Sequence, residues 1–421
     1  MNEMEKQAID GAVGNFQTLM ARQPIFRPDL TIYGYELLYR ADDDDSASIA
    51  DDAAAQKESS VVVMINSLMD MDIEKITDGN IAFFNAPAGM LVEGVELPLG
   101  GSKIGLDILD PHAAPGDLAG ALQQLKLDDV VLALDDFHDD PKMFELIDFV
   151  DIVKINIASM SKLQLASILE NLSGRQVLVA AKKVETTEQF SYCRELGFDL
   201  FQGFFLSKPT LVKSARLPDS KVNILRLIAK LQEPDVDVEE IEAIIRLDVA
   251  LHFRLLRTVN SAYYGLPVEM KSIARAVTYL GLTTIRRWIQ LQLVASSGNM
   301  PGELIRQALI RARMCELLTR DMPKEAQDTA FTIGLFSLLD SMLEVPMDEV
   351  LSQLPLDKDL AISLTQHDGP YGRLLEAVMR YERGEWKGLA EGLYAEERLA
   401  ESYLEAVQWA GEQYRLLTDP D

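Results

Sequence analysis

The chain has 421 residues, with 40 Lys and Arg set against 67 Asp and Glu, and a formal net charge of −27. Apolar residues make up 48%, which excludes wholesale disorder. The acidity excludes general affinity for nucleic acid or anionic lipid, because phosphate neutralisation needs clustered Lys and Arg. No apolar run reaches the roughly 18–20 residues of a membrane span, and the start, Met1–Lys6, lacks the apolar core of a secretory signal. Cys193 and Cys315 form no metal-ligand spacing, a usage that suits a reducing cytoplasm. These features predict a cytoplasmic protein with no nucleic-acid and no membrane partner.

Eight apolar runs mark the first half: Leu19–Ile25, Ile32–Tyr39, Ile81–Phe84, Ile104–Ile108, Val130–Leu134, Ile152–Ile155, Val177–Ala181 and Leu200–Phe205. Helix-length segments lie between most of them, at Ser59–Met71, Asp117–Leu125, Pro141–Phe149, Met160–Leu172 and Thr187–Leu196. Near-continuous apolar strands with helical connections predict a mostly parallel sheet covered by helices, and eight of them predict a (β/α)8-type barrel over residues 18–212, after a tail at 1–17. Residues 213–221, with Pro218, read as a linker. Beyond it Val222, Leu225 and Ile228 share a helical face, and Asp237 with Glu240 reads as a capping box ahead of Ile241, Ile244 and Ile245. Leu251, Leu255 and Val259 keep helical spacing, as do Ile285, Ile289 and Leu293. The second half is therefore predicted all-α over 222–385, with an acidic helical extension at 386–421.

Polar side chains recur at the ends of the apolar runs: Glu36, Asn85, Asp107, Asp135 with Asp136, Lys154, Lys182 and Gln202. The C-terminal ends of barrel strands form the chemical face of such folds. A single Asp there reads as a helix cap, but Lys and Gln are poor caps. The series points to a site, or to the remnant of one.

The residues carrying this ring resemble the EAL domain family. Gly34-Tyr35-Glu36-Leu37-Leu38-Tyr39-Arg40 is similar to its signature, with Leu37 in place of Ala. Phe84-Asn85, Leu106-Asp107-Ile108-Leu109-Asp110, Leu134-Asp135-Asp136-Phe137, Val153-Lys154-Ile155-Asn156, Val184-Glu185-Thr186, Phe201-Gln202-Gly203 and Leu206-Ser207-Lys208-Pro209 follow in the family's order. The resemblance implies a modified TIM barrel that hydrolyses cyclic di-GMP with two divalent metals, usually Mg²⁺ or Mn²⁺. It puts Glu36, Asn85 and Asp135 on metal-ligand positions and Asp136 on a carboxylate that positions metal and water. Lys154 falls on the lysine that holds the attacking water, and Gln202 on another active-site position. Glu185 belongs to the same inherited set, and Gln23 and Arg40 are the candidates for holding the dinucleotide.

Three departures bear on that chemistry. The family's metal-site Glu after the seventh strand is Lys182 here, in Ala181-Lys182-Lys183-Val184-Glu185. Its partner Glu after the fourth strand is the shorter Asp107, and the glycine-rich loop after Asp-Asp-Phe reads His138-Asp139-Asp140-Pro141. Two-metal hydrolysis needs carboxylates around both cations. An ammonium about 6 Å from a divalent ion repels it by roughly 5 kcal/mol at an effective dielectric of 20, less if Lys182 snorkels to solvent. Glu36, Asp136, Lys154, Glu185 and Gln202 are thus expected to be vestigial catalytic positions, and Glu36, Asn85, Asp107, Asp135 and Asp136 vestigial metal positions. No cofactor is expected, with Mg²⁺ or Mn²⁺ needed only if residual phosphodiesterase activity survives. Ion pairs from Lys182 or Lys154 to Asp107, Asp135 or Glu36 are expected in the metals' place.

In the second half, Asp248-Val249-Ala250-Leu251, the stretch Leu256-Arg257-Thr258-Val259-Asn260-Ser261-Ala262-Tyr263-Tyr264-Gly265, and Ala276-Val277-Thr278-Tyr279-Leu280-Gly281-Leu282 resemble the HDOD domain. The resemblance implies an HD-related helical fold used for regulation or scaffolding, with Ser337 and Leu338 where HD enzymes carry His-Asp. The whole chain has four histidines, His112, His138, His252 and His367, none in metal-binding spacing. Arg286-Arg287-Trp288 reads as a solvated helix face with one docking aromatic. The expected function is a signalling adaptor with other signalling proteins as partners of the HDOD half. The alternatives are a receptor that binds cyclic di-GMP without cleaving it, or a weak metal-dependent phosphodiesterase.

Overall fold

The computed structural model describes residues 19–40, 73–94, 103–207 except 115, 272–295, 301–386 except 344 and 353–357, 389 and 393–418, together with positions 241, 245, 255, 256 and 259. Within these, the side chains of residues 39, 40, 273, 274, 293–295 and 352 are not described. The expected helix Ser59–Met71, the linker, the Asp237–Glu240 box, His252 and most of the motif around Asn260 lie outside the described residues. The chain divides into two compact units, Met1–Lys208 with Met379–Gln408, and Pro209–Val378 with Trp409–Asp421.

The first unit is a closed eight-stranded barrel in sequence order: β1 Leu19–Phe26, β2 Ile32–Arg40, β3 Ile81–Pro87, β4 Ile104–Leu109, β5 Val131–Leu134, β6 Ile152–Asn156, β7 Leu178–Lys182 and β8 Leu200–Gln202. From β2 to β8 every neighbour is parallel, whereas β1 runs antiparallel to both β2 and β8. The last apolar run is shorter as a strand than the sequence predicts. Gly203, with φ +152 and no room for a Cβ against the Val184 backbone, turns the chain, and Phe205–Ser207 is a 3₁₀ turn.

Helices α1 Ile73–Thr77, α2 Ala88–Glu93, α3 Leu118–Leu127, α4 Pro141–Leu146, α5 Lys162–Leu172 and α6 Thr187–Glu195 link the strands. Ser161 with Gln164, and Thr186 with Gln189, form capping boxes at α5 and α6. Alternation with period two splits the strand residues into two cores. Phe84, Leu106, Leu132, Leu134, Val153, Ile155 and Phe201 pack outward under the helices. Ile25, Phe83, Ala133, Ile152, Ala180 and Leu200 fill the lower barrel interior. Gly105 makes room for Phe83, since a Cβ there would lie 2.5 Å from the ring.

The N-terminal half of β1 extends beyond its short pairing with β8, which involves only Ile25 and Phe26. Tyrosine hydroxyls accept the N–H groups this leaves: Met20 N donates to Tyr381 Oη and Arg22 N to Tyr403 Oη, both at 3.2 Å. The two phenol rings lie 5.1 Å apart. The Met379–Gln408 segment therefore completes the barrel's hydrogen bonding at β1.

The described part of the second unit is helical: α7 Ile273–Ala295, interrupted at Gly281 (φ 78), α8 Gly302–Leu318, α9 Lys324–Phe336, α10 Leu339–Leu343, α11 Met347–Ser352, α12 Lys358–Gln366 and the start of α13 Gly369–Glu382; α14 Glu396–Thr418 ends in it. Ile241, Ile245, Leu255, Val259, Ile285 and Ile289 are buried, as their spacing predicts. Gly334 lets α9 touch the α8 backbone at Arg311. Trp288 is buried, as a docking aromatic should be, but the solvated-face expectation is corrected at Arg287, whose Nη2 donates to Glu316 Oε1 at 2.5 Å and to Asp328 Oδ1 at 2.6 Å. Burial of Glu316 is outweighed by Arg287 and Arg313, which hold its carboxyl below the ordinary range.

Candidate functional site

The inward side chains one step above the apolar floor are polar, and they come in two layers from alternate strands, as barrel stagger requires. The even strands β2, β4, β6 and β8 supply Glu36, Asp107, Lys154 and Gln202, all buried. The odd strands β3 and β7 supply Asn85 and Lys182, and the residue just past β5 supplies Asp135, all nearer the mouth.

In the deeper layer the Lys154 ammonium, 0% exposed, donates to Asp107 Oδ2 at 2.5 Å and lies 3.5 Å from Glu36 Oε2. Its face toward the floor is the Phe83 ring, 4.9 Å away. Gln202 Nε2 donates to Glu36 Oε2 at 2.6 Å and to Gln23 Oε1 at 2.9 Å, and Asn85 Nδ2 to Glu36 Oε1 at 3.2 Å. In the upper layer Lys182 Nζ donates to both oxygens of Asp135 at 2.7 Å. Lys182 is 15% exposed, so its charge turns inward rather than snorkelling.

The electrostatics follow from this enclosure. Burial pushes Glu36 up, but the ammonium groups of Lys154 and Lys182 and the amides of Gln202 and Asn85 hold it at about 2. Burial pushes Asp107 up to about 7; Lys154 opposes that shift, while Glu36 and Asp135 reinforce it. Burial pulls both lysines down, and the surrounding carboxylates more than restore them, leaving Lys154 and Lys182 raised. Two firmly held cations thus neutralise a cluster of three carboxyl groups.

As arranged, this donor set does not fit a pair of divalent cations. Asp135 offers both oxygens to an ammonium, Asp107 offers Oδ2 to another, and position 182 supplies positive charge where a carboxylate is needed. Among the described residues, Asp107 Oδ1 and Gln202 Oε1 are buried without a hydrogen-bond donor.

Of the other sequence-derived positions, Asp136 and Glu185 are exposed. Asp136 lies in the left-handed region (φ 44), directly after β5. The Glu185 backbone N–H donates to Gln189 Oε1 at 2.7 Å. Arg40 closes β2, with its side chain outside the described set. In the helical unit Ser337 caps α9, its Oγ donating to Gly334 O at 2.8 Å and accepting from Arg311 Nη1 at 3.2 Å. Asp340 nearby is raised by burial, so an Arg–Ser contact occupies the region the HD comparison singled out.

Two arrangements carry no local signal in the sequence. One is the tyrosine pair on β1. The other is the meeting of His112, after β4, with His138 and Asp140, after β5, whose ligand atoms lie within 4.8 Å of one another. Adjacent strand numbers in a barrel of known order are the cue that would have brought these loops together.

Comparison with known proteins places these features. An HDOD domain model matches residues 217–349, and an EAL domain model matches residues 95–209. The Bacillus subtilis (strain 168) uncharacterized protein YuxH is 29% identical over 93% of this chain and 98% of its own length. The Vibrio cholerae cyclic di-GMP phosphodiesterase CdgJ is 30% identical over 96% of this chain and 94% of its own. Among solved structures, the Klebsiella pneumoniae BlrP1 complex with calcium and cyclic di-GMP is 20% identical, with a TM-score of 0.37, over 46% of this chain and 56% of that one. With near-complete coverage of a relative at 30% identity and both domain models matched in order, the chain belongs to the family that joins an EAL domain to an HDOD domain.

Proposed function

We propose that this chain is a cytoplasmic regulator in cyclic di-GMP signalling whose EAL barrel has given up metal-dependent hydrolysis and whose HDOD half docks other signalling proteins. The observation that carries the reading is the Lys182 ammonium seated 2.7 Å from both Asp135 oxygens. The pair fills the upper layer with its own neutral balance. To load two metals, the barrel would have to eject a raised-pKa lysine and then tolerate its charge nearby, against roughly 5 kcal/mol of repulsion per neighbouring dication.

Titration calorimetry of the full chain with cyclic di-GMP, with and without Mg²⁺ or Mn²⁺, tests this. The absence of both binding heat and linear product supports the adaptor. Binding without turnover supports a receptor using Gln23, Arg40 and the strand-end amides. Metal-dependent formation of linear dinucleotide overturns the proposal.

The phosphodiesterase reading is favoured by the name of the Vibrio relative and by the presence of Lys154 in the deeper polar layer, since the family resemblance implies a water-holding lysine at that residue. Against it stand the charge at position 182 and the exposure of Asp136. Among the described residues no helix is long and apolar enough to cross a membrane.

A further inference from the structure

We propose that His112, His138 and Asp140 form a binding site for one transition-metal dication of the zinc class, on the loops that follow β4 and β5. The site is separate in residues from the polar cluster inside the barrel and independent of whether that cluster has any activity. Two of the chain's four histidines meet here, with ring centroids 6.3 Å apart. His112 Nε2 lies 3.8 Å from Asp140 Oδ1, and one ligand atom from each of the three residues lies within 4.8 Å of the others.

The surroundings orient these donors. His138 Nδ1 lies 3.0 Å from the Asp136 carbonyl oxygen, which can only accept, so Nδ1 carries the proton and Nε2 presents a lone pair. A ring N–H given to a backbone carbonyl is how metal-ligating histidines are usually fixed in tautomer and direction. Asp140 is anchored as well, its Oδ1 accepting from Lys142 N at 2.8 Å. Prolines stiffen both loops, Pro111 just before His112 and Pro141 just after Asp140. The left-handed residues Asp110 (φ 49) and Asp136 (φ 44) turn the chain off the two neighbouring strands toward each other.

Two imidazoles and a carboxylate suit zinc, cobalt, nickel or copper, whereas Mg²⁺ and Ca²⁺ prefer an all-oxygen set. Bonds near 2.0 Å in a tetrahedral shell keep ligand atoms about 3.3 Å apart, so the three donors, now within 4.8 Å of one another, have to draw together by up to about 1.5 Å, a movement open to the exposed His112 ring. Water fills the fourth position. Binding would staple the β4 loop to the β5 loop at the mouth of the barrel.

The test uses the untagged full chain, stripped with chelator and titrated with Co²⁺, then with Zn²⁺ as competitor. The expected result is one equivalent of Co²⁺ with the visible bands of a tetrahedral site, displaced by Zn²⁺. His112→Gln and His138→Gln should each weaken binding by more than about tenfold, with circular dichroism and melting of the metal-free variants unchanged. Asp140→Asn, which keeps a capping oxygen, should weaken it less. Absence of stoichiometric binding, or binding unaffected by the double histidine variant, overturns the proposal. Binding lost instead in Asp135→Asn would put the ion inside the barrel and also overturn it.

Discussion

Lys182 on β7 reaches over the whole of β6 to grip Asp135 beyond the end of β5, and takes both carboxylate oxygens at 2.7 Å. The pair spans alternate strands because inward side chains at one height come from every second strand. Lys182→Glu should therefore turn a neutral layer into one with two facing carboxylates. In chelator the variant is expected to lose roughly 3–5 kcal/mol, the usual cost of breaking a buried pair. Saturating Mg²⁺ should return about 2–3 kcal/mol while leaving the parent chain unmoved. Melting curves with and without Mg²⁺ read both effects; a variant indifferent to Mg²⁺ would show that position 182 is not what keeps metals out. Mg²⁺ is the right probe because imidazole does not compete for it.

The Lys154–Asp107 pair has no exposed atoms on either side chain. Lys154→Met is expected to cost roughly 3–5 kcal/mol, since it strands Asp107 and Glu36 in a low-dielectric interior. Combining it with Asp107→Asn should recover a large part of that loss. Hydrogen exchange of the β4 and β6 amides localises the effect. Simple additivity of the two changes would mean that the pair is not energetically coupled.

Acidity acts on the cluster in two opposed windows. Glu36 stays ionised in the folded barrel down to about pH 2 against 4.5 for a free Glu, so its contribution is complete above 4.5 and drains away as the pH falls toward 2. Asp107 does the reverse: folded, it keeps its proton up to about pH 7 against 3.8 when free. The folded state then binds more protons between those values, and stability falls as the pH rises through them. Asp107→Asn should flatten that decline. Denaturation midpoints from pH 4 to 7.5 give the answer, and parallel curves for parent and variant would refute the assignment.

Tyr381 and Tyr403 should be worth more as acceptors than as ring bulk. Tyr403→Phe leaves the buried Arg22 N–H without its partner, and Tyr381→Phe does the same to Met20, for about 1–3 kcal/mol each. Faster amide exchange confined to β1 is the expected signature. Unchanged β1 protection would show that water replaces the hydroxyls at no cost.

The barrel was legible because its strands are buried on both faces, which makes them near-continuous apolar runs that polar residues interrupt only at the mouth. Glu36, Asp107, Asp135, Lys154, Lys182 and Gln202 stood out for that reason, and the ion pairs expected of the two lysines are the ones their side chains make. The short helices Ile73–Thr77 and Ala88–Glu93 were not legible, since one or two turns give no period to count. Nor was the reversal of β1, because run composition carries no direction. Arg287 was misread for a different reason: a charged residue looks solvated until Glu316 and Asp328, 29 and 41 positions away, are brought to it. His112 and His138 likewise meet only through the order of the strands that carry them.

One consequence reaches back to synthesis. Met20 and Arg22 find their hydrogen-bond acceptors 361 and 381 positions downstream. A ribosome making this protein emits the barrel's opening strand first and the phenols that finish it only after the HDOD helices have emerged. The amino-terminal body thus has to wait, incomplete, for the carboxy-terminal stretch, reversing the domain-by-domain order that vectorial folding normally follows.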